Sequence, residues 1–377
     1  MKITGVETFV CWADWVNWLF VRVDTDEGIH GWGEGSLHGS VQAVETAIQE
    51  LSAYLVGRDP AGVERHWHGM YHAWWWRGGA ILMTALAALD IALWDIEGKR
   101  LGVPVYRLLG GPYRDRIRAY ASHWLPGVQN FAQAADGARE ARRRGFSAFK
   151  FSPIDRNLLM ENESRAFGRA AELVAGAREG AGDDCDMMIE LAERLSPRTT
   201  LLLAERLAPS RPYWFEEPIP FENARAMAAL QQQCPVPIAT GERLLSRWEF
   251  RELFELQGCR VAQPDLMHAG GLTEVKRIAA MADTHYIAVA PHNPGGPIVT
   301  LASIHLAAAI PNFLILEQME FEQGLRAELC DEAPLLVDGH FQLPTRPGIG
   351  TEMNAKALRA RAFQPQGVSG STESLWR

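Results

Sequence analysis

The chain has 377 residues, 47% hydrophobic and 22% charged, enough for about two globular domains whose core needs no covalent staples. The formal net charge is -9 and basic runs such as Arg142-Arg143-Arg144 are short, which argues against a nucleic-acid binder. The five cysteines, Cys11, Cys185, Cys234, Cys259 and Cys330, contain no Cys-x-x-Cys pair, which argues against a disulfide framework or zinc ribbon and fits a reducing cytoplasm.

The first residues, Met1 to Glu7, lack the apolar core of a signal peptide. Ile3 to Val10 and Trp18 to Asp24 alternate as strands, turn residues follow to Gly28, and a third strand is expected over Ile29 to Gly35. Helical patterns cover Val41 to Val56 and Ile81 to Lys99. The apolar stretch Ile81 to Trp94 is interrupted by Asp90 and is too short to span a bilayer, so it reads as a buried helix. These elements predict an α+β unit over residues 1–114.

From about Arg116 the rhythm changes. Strands are expected at Ile117–Ala121, Phe146–Phe151, Met187–Glu190, Tyr213–Glu217, Pro237–Gly241, Arg260–Gln263, Ile287–Pro291 and Phe313–Glu317, with amphipathic helices between them. One helix opens with a capping-box pattern at Ser246 and Glu249, and another near Thr273. Eight short strands separated by helices imply parallel βα units. No dinucleotide or Walker-type glycine loop is present, so a closed barrel over 115–319 is expected rather than an open sheet. The tail, 320–377, is expected to return to the first unit.

The C-terminal ends of these strands carry the active site in a barrel. There the chain places Glu190, Glu216, Glu242, Asp265, His292 and Glu317, at successive spacings of 26, 26, 23, 27 and 25 residues. Each interval is about one βα unit, so six units present an acid or a histidine at one height. Carboxylates converging at low dielectric repel strongly and call for a cation. An all-oxygen set favours Mg²⁺ over zinc. The alternative is that these acids cap helices or pair with Arg194 and Arg243.

Trp214-Phe215-Glu216-Glu217-Pro218, Thr240-Gly241-Glu242-Arg243, Gln263-Pro264-Asp265-Leu266, Ala290-Pro291-His292 and Leu316-Glu317-Gln318 resemble the mandelate racemase branch of the enolase superfamily. Gly31-Trp32-Gly33-Glu34 and Ala88-Leu89-Asp90-Ile91-Ala92-Leu93-Trp94-Asp95 extend the likeness from residue 1 to at least 350, and within the branch it is greatest to acid-sugar dehydratases of the galactonate type. The resemblance implies a modified TIM barrel, (β/α)₇β, under an α+β capping domain. It implies Mg²⁺ on Glu190, Glu216 and Glu242, His292 as general base paired with Asp265, and Glu317 hydrogen-bonded to the substrate carboxylate and its enediolate. A Glu317 that donates must be protonated, and Asp265 fixes the His292 tautomer. The expected reaction is dehydration of an aldonic or aldaric acid to a 2-keto-3-deoxy acid. A cytoplasmic homo-oligomer, from dimer to octamer, is implied too.

Three positions depart from that pattern. Glu190 stands where these dehydratases have Asp. Ala192 stands where they carry a histidine acid, and period-two alternation faces it into the site. Either His292 acts twice, in a syn elimination, or His123 supplies the proton. Lys150-Phe151-Ser152 replaces the Lys-x-Lys of the racemases, removing the base on one face; Lys150 is left to balance charge or bind the substrate carboxylate. Two lids are expected, Trp12–Trp18 and Trp74–Gly79, with Trp18 and Arg77 contacting a sugar acid. Alternatives are a racemase, epimerase or cycloisomerase on the same barrel, or a non-catalytic sugar-acid binder.

Overall fold

The structure is a computed structural model and describes residues 1–319 and 323–366. Strands β1 (Ile3–Trp12), β2 (Asn17–Thr25) and β3 (His30–Glu34) form an antiparallel sheet in that order. Helices α1 (Val41–Leu55), α2 (Val63–Tyr71), α3 (Ala80–Leu101) and α4 (Val105–Leu108) follow. Alternation along β2 buries Leu19, Val21 and Val23, which share a core with Val44 and Ile48 of α1 and Leu89 and Leu93 of α3. Gly31 and Gly33 are glycines for a packing reason: a Cβ there would lie 2.1 and 1.9 Å from the Ala92 and Ala88 carbonyl oxygens of α3. The apolar run is a buried helix as expected, with every residue from Met83 to Leu93 inside. Among the described residues no helix is long and apolar enough to cross a membrane.

Eight parallel strands come next: β4 (Arg116–Ser122), β5 (Ala148–Phe151), β6 (Asp186–Glu190), β7 (Trp214–Glu216), β8 (Ile238–Thr240), β9 (Val261–Ala262), β10 (Ala288–Val289) and β11 (Leu316–Met319). Between them run α5 (Phe131–Arg143), α6 (Arg156–Glu161) with α7 (Glu163–Ala181), α8 (Pro197–Leu207), α9 (Ala224–Gln233), α10 (Arg247–Glu255), α11 (Gly271–Thr284) and α12 (Pro297–Ala309). Neighbours pair in chain order from β4 to β10, and β11 lies against β4. Just ahead of β11, Val289 N–H donates to the Asn312 carbonyl (2.9 Å) and Leu314 N–H to the Val289 carbonyl (2.8 Å), which joins β10 to the last strand and closes the ring. This is the expected (β/α)₇β barrel.

One side chain from each strand position fills the interior: Tyr120, Ala148, Met188, Trp214, Ala239, Val261, Ala290 and Ile315. The small Ala239, Val261 and Ala290 on one side face the large Tyr120, Met188 and Trp214 on the other, and Tyr120 meets Trp214 edge-on at 5.8 Å.

One local expectation changes. Ser246 makes no side-chain cap; Glu249 accepts the Leu245 N–H instead, and Glu274 takes the Arg247 N–H at 3.0 Å. A neighbouring carboxylate has replaced the serine. Helix α11 opens at Gly271, ahead of Thr273, whose N–H reaches Asp90 Oδ2 at 3.0 Å.

The seam between the first unit and the barrel contains three buried carboxylates. Glu34 accepts from the N–H groups of Gly296 (2.6 Å) and Val299 (3.0 Å) at the start of α12. Asp90 holds α11, and Asp95 accepts from Trp32 N–H (2.8 Å) and Ile349 N–H (2.7 Å). The tail contributes α13 (Gln323–Leu329), the hairpin β12 (Leu336–Val337) and β13 (His340–Gln342), and α14 (Ala355–Ala360). β13 adds antiparallel to the start of β4. Farther on, the Arg361 carbonyl accepts from Trp12 N–H at 3.0 Å, and Asn17 bonds the Gln364 backbone at 2.7 and 3.0 Å. Residues 320–322 and 367–377 of the expected tail lie outside the described residues.

Candidate active site

Because strand side chains alternate, the residue two positions after each interior side chain faces the barrel mouth. That rule delivers Ser122, Lys150, Glu190, Glu216, Gln263, His292 and Glu317 from seven strands. β8 delivers Gly241, at φ 129°, where a Cβ would meet the Phe250 ring at 2.7 Å; Glu242 follows it. Glu190 sits opposite Glu216, and Asp265 opposite His292, in the strand register.

Lys150 is the centre of charge. It is 2% exposed. Its ammonium bonds Glu216 Oε1 and lies 3.1 Å from Glu317 Oε1 and 3.3 Å from Glu190 Oε2. Burial alone would lower its pKa, but Glu216, Glu317 and Glu190 hold it well above the usual lysine value. Burial, aided by Glu190 and Glu317, pushes Glu216 up to about 7 against the pull of Lys150. Burial raises Glu190 too, with Lys150 opposing and Glu242 reinforcing.

Glu217 is a structural neighbour rather than a mouth residue. It accepts from Thr240 Oγ1 (2.7 Å), Gly241 N–H (2.8 Å) and Arg243 (3.2 Å). Glu242 lies 2.8 Å from Arg243 and 3.4 Å from His292 Nε2. The three expected metal ligands therefore face protein cations, and among the described residues no three His, Cys, Asp or Glu are gathered round a metal position. The donor chemistry still fits a hard divalent ion: three carboxylates, two of them in register, with Glu242 raising the Glu190 pKa and Glu190 raising that of Glu216. Gln263, at the same level, has a buried amide whose oxygen and nitrogen both lack a partner among the described residues.

His292 Nδ1 is 2.8 Å from Asp265 Oδ2, and Asp265 Oδ1 accepts the Met267 N–H at 2.7 Å. The carboxylate is thus fixed and fixes the ring. Burial would lower the His292 pKa, but Glu242, Glu317 and Asp265 push it up to about 10. Burial would raise Asp265, and His268 and His292 overcome this and lower it. Glu317 accepts from Ser122 Oγ (2.5 Å) and Asn293 N–H (2.9 Å). Burial would raise its pKa, but Lys150, His292 and His123 hold it well below the usual range. A Glu317 that donates would have to be protonated, and the lysine 3.1 Å away favours its carboxylate instead in this arrangement.

A cavity of about 260 Å³ opens over the mouth, lined by His123, Lys150, Ser152, Glu190, Ala192, Arg194, Glu242 and His292 among others. Ala192 faces it, although strand alternation is not the cause. β6 ends at Glu190, Ala192 and Glu193 have φ of 47° and 59°, and Ala192 N–H turns back to Glu190 Oε1 at 2.7 Å. Asp186, at the other end of β6, pairs with Arg118 at 2.7 Å.

Two expected substrate contacts are not brought here. Trp18 has no exposed surface; it opens β2 and packs edge-on against Phe20 in the core, because alternation turns it inward. Arg77 lies in the exposed loop before α3, against His72 and Tyr71, where it lines a separate small cleft with Trp74 and Trp76. Sequence reasoning missed three others. Arg194 enters the cavity and donates to Ser152 Oγ at 2.9 Å. Ser122 and Gln263 take part through the two-residue step from the interior layer, a signal visible once strand ends are placed.

The comparisons with known proteins agree with this architecture. The mandelate racemase / muconate lactonizing enzyme N-terminal domain matches residues 13–110, and the enolase C-terminal domain-like family matches residues 133–357. A D-galactonate dehydratase of Pectobacterium atrosepticum is 40% identical over 96% of this chain and 94% of its own. One from Cronobacter sakazakii is 39% identical over 100% and 98%. Among solved structures, an enolase of Agrobacterium radiobacter bound to sodium and L-malate superposes with a TM-score of 0.89 at 32% identity, covering 96% and 95% of the two chains. A member of the enolase superfamily from Salmonella Typhimurium gives 0.90 at 31% identity, covering 95% and 97%. With both domains matched and the barrel and its ring of acids in place, the chain belongs to the enolase superfamily, in its mandelate racemase / muconate lactonizing enzyme group.

Proposed function

We propose that this enzyme is a hydro-lyase that dehydrates an aldonic or aldaric acid to a 2-keto-3-deoxy acid. The observation that carries the reading is the His292–Asp265 pair at 2.8 Å, with His292 Nε2 turned into a cavity ringed by carboxylates. The full-length likeness to galactonate dehydratases supports sugar-acid dehydration.

In this reading the neutral form of His292, favoured when a cation rather than the imidazolium balances Glu242, removes at Nε2 the proton next to the substrate carboxylate, and Asp265 holds the ring in the productive tautomer and steadies the positive charge it gains. Lys150 positions the substrate carboxylate, Glu317 holds the Lys150 ammonium in place at 3.1 Å, and Arg194 reaches the substrate's distal hydroxyls or second carboxylate. Glu190, Glu216 and Glu242 would hold Mg²⁺, which offsets the negative charge that builds up when the α-proton leaves. The division into 1–114, 115–319 and 320–377, with the tail completing the cap, belongs to the same proposal and is supported by the Trp12–Arg361 and Asn17–Gln364 bonds. So does a cytoplasmic homo-oligomer between dimer and octamer, which light scattering on the purified protein tests.

The deciding experiment is a screen of purified protein with Mg²⁺ against aldonic and aldaric acids, with 2-keto acid detected as its semicarbazone. Strong hits lost in EDTA and in His292→Asn are the expected result. No keto acid from any member, with α-proton exchange into D₂O retained, would favour racemase or epimerase chemistry instead.

A further inference from the structure

Dehydration breaks a C3–O bond, and a hydroxide leaving unprotonated is a poor leaving group. The cavity must therefore deliver a proton to that oxygen. Ala192 carries none. Arg194 bears a guanidinium, which does not release its proton in proteins. The Lys150 ammonium is directed at three carboxylates, Glu216, Glu317 and Glu190. Ser152 is a weak acid and its oxygen accepts from Arg194. His292 is committed to the α-proton. With Glu190 and Glu242 set aside as the proposed Mg²⁺ ligands, one proton-transfer group remains among the described lining residues, His123.

The structure sets that histidine up for the task. It follows β4 directly, at φ 51°, a left-handed conformation that a non-glycine residue adopts rarely. The next residue is pinned to the adjacent strand, with Trp124 N–H donating to the Lys150 carbonyl at 3.0 Å. His123 Nδ1 lies 3.0 Å from Ser122 Oγ. The Ser122 hydroxyl spends its single proton on Glu317 Oε1, at 2.5 Å. Toward His123 the oxygen can only accept, so Nδ1 carries a hydrogen and Nε2 is the nitrogen that exchanges a proton with a ligand. The chain Glu317–Ser122–His123 parallels Asp265–His292 in geometry: a carboxylate, here through one hydroxyl, orients an imidazole, while burial lowers the His123 pKa and makes its imidazolium a readier proton donor.

We infer that His123 is the general acid that protonates the departing C3 hydroxyl, in place of a histidine at position 192. The inference rests on the dehydratase reading above. His292 Nε2 takes the C2 proton. The C2–H electron pair is first held by the carboxylate as an enediolate, which can exchange its proton, and then forms the C2=C3 double bond as the C3–O bond breaks. The oxygen leaves with the His123 Nε2 proton as water. The enol then gains a proton at C3 and loses its hydroxyl proton, giving the ketone. Both histidines reset by exchange with solvent.

The test uses the purified enzyme with Mg²⁺, a hit from the acid screen, and the matching 3-deoxy-3-fluoro acid, whose fluoride leaves without a proton. His123→Asn keeps an amide nitrogen toward Ser122. It is expected to slow 2-keto acid formation from the hydroxy acid about 100-fold or more. Fluoride release and C2 exchange in D₂O should stay within about threefold of wild type. His123→Gln provides a second variant if the first does not fold. An unchanged dehydration rate in a folded variant overturns the inference alone and returns both roles to His292. Equal loss of dehydration, fluoride release and exchange also overturns it, by making His123 structural. A wild type that dehydrates no acid and exchanges no C2 proton overturns the dehydratase reading, and the inference with it.

Discussion

The barrel mouth and the seam beneath the first unit both bury carboxylates, yet they do so in opposite ways. At the seam, Glu34 meets two backbone N–H groups and Ser36, and Asp95 meets two N–H groups and Lys99. In the mouth, Glu190, Glu216 and Glu317 face one another around one ammonium. Titration does not separate the two sets, since burial pushes both Glu34 and Glu216 up to about 7. Partners separate them. A buried carboxylate saturated by amides is a fastener, and one left facing other carboxylates is a binding site for positive charge.

The comparison breaks first at His292. If the mouth is catalytic, His292→Asn should lower 2-keto acid formation about 10³-fold or more while leaving the thermal midpoint near wild type. A variant that retains its rate would sink the assignment of the base. Next comes the ion. Adding Mg²⁺ at about 100 times its dissociation constant should stabilise the wild type by about 2.7 kcal/mol. Glu216→Gln should erase most of that gain in a thermal melt, whereas Glu34→Gln should keep it. Equal responses would mean that the two carboxylate sets do not differ as argued.

The seam has the complementary signature. Asp95→Ala strands two buried N–H groups and should cost about 1–3 kcal/mol in denaturant unfolding, with turnover per folded molecule preserved. A pH series sharpens this. Glu34, Asp90 and Glu216 are all raised to about 7 on folding, burial being the first cause in each. Carboxyls with raised folded values stabilise fully below their unfolded pKa and lose that contribution as pH climbs through about 7. In EDTA the melting temperature should therefore fall between pH 5 and pH 8. Mg²⁺, which binds the ionised mouth, should offset the decline. A melting temperature that rises with pH in EDTA contradicts the sign.

Much of this was legible in the chain because the barrel imposes two periods at once. One is the residue count of a βα unit, which spaced Glu190, Glu216, Glu242, Asp265, His292 and Glu317. The other is strand alternation, which turns alternate residues toward the mouth. The failures share a cause as well. Ala192 faces the cavity through two left-handed residues after the strand has ended, which alternation does not encode. Arg194 follows the same turn. That a donating Glu317 must be protonated follows from its role alone, whereas the Lys150 ammonium 3.1 Å away, which favours the carboxylate, is set only by the fold.

The loop Trp74–Gly79, expected as a lid, stands away from the mouth here and carries the smallest expected effect. Three successive tryptophans read as a sugar-binding wall, yet Trp74, Trp75 and Trp76 are 59, 95 and 88% exposed and none lines the mouth cavity. Arg77 stays with Tyr71 and His72 on the same loop. A ring that is 95% exposed contributes little packing, so Trp75→Ala should change unfolding free energy by less than about 0.5 kcal/mol. In this arrangement KM for the best acid should not move either. A KM raised tenfold with kcat intact would show that the loop folds over bound substrate. The aromatic run would then belong to the site after all, reached by a motion of the loop rather than by its position here.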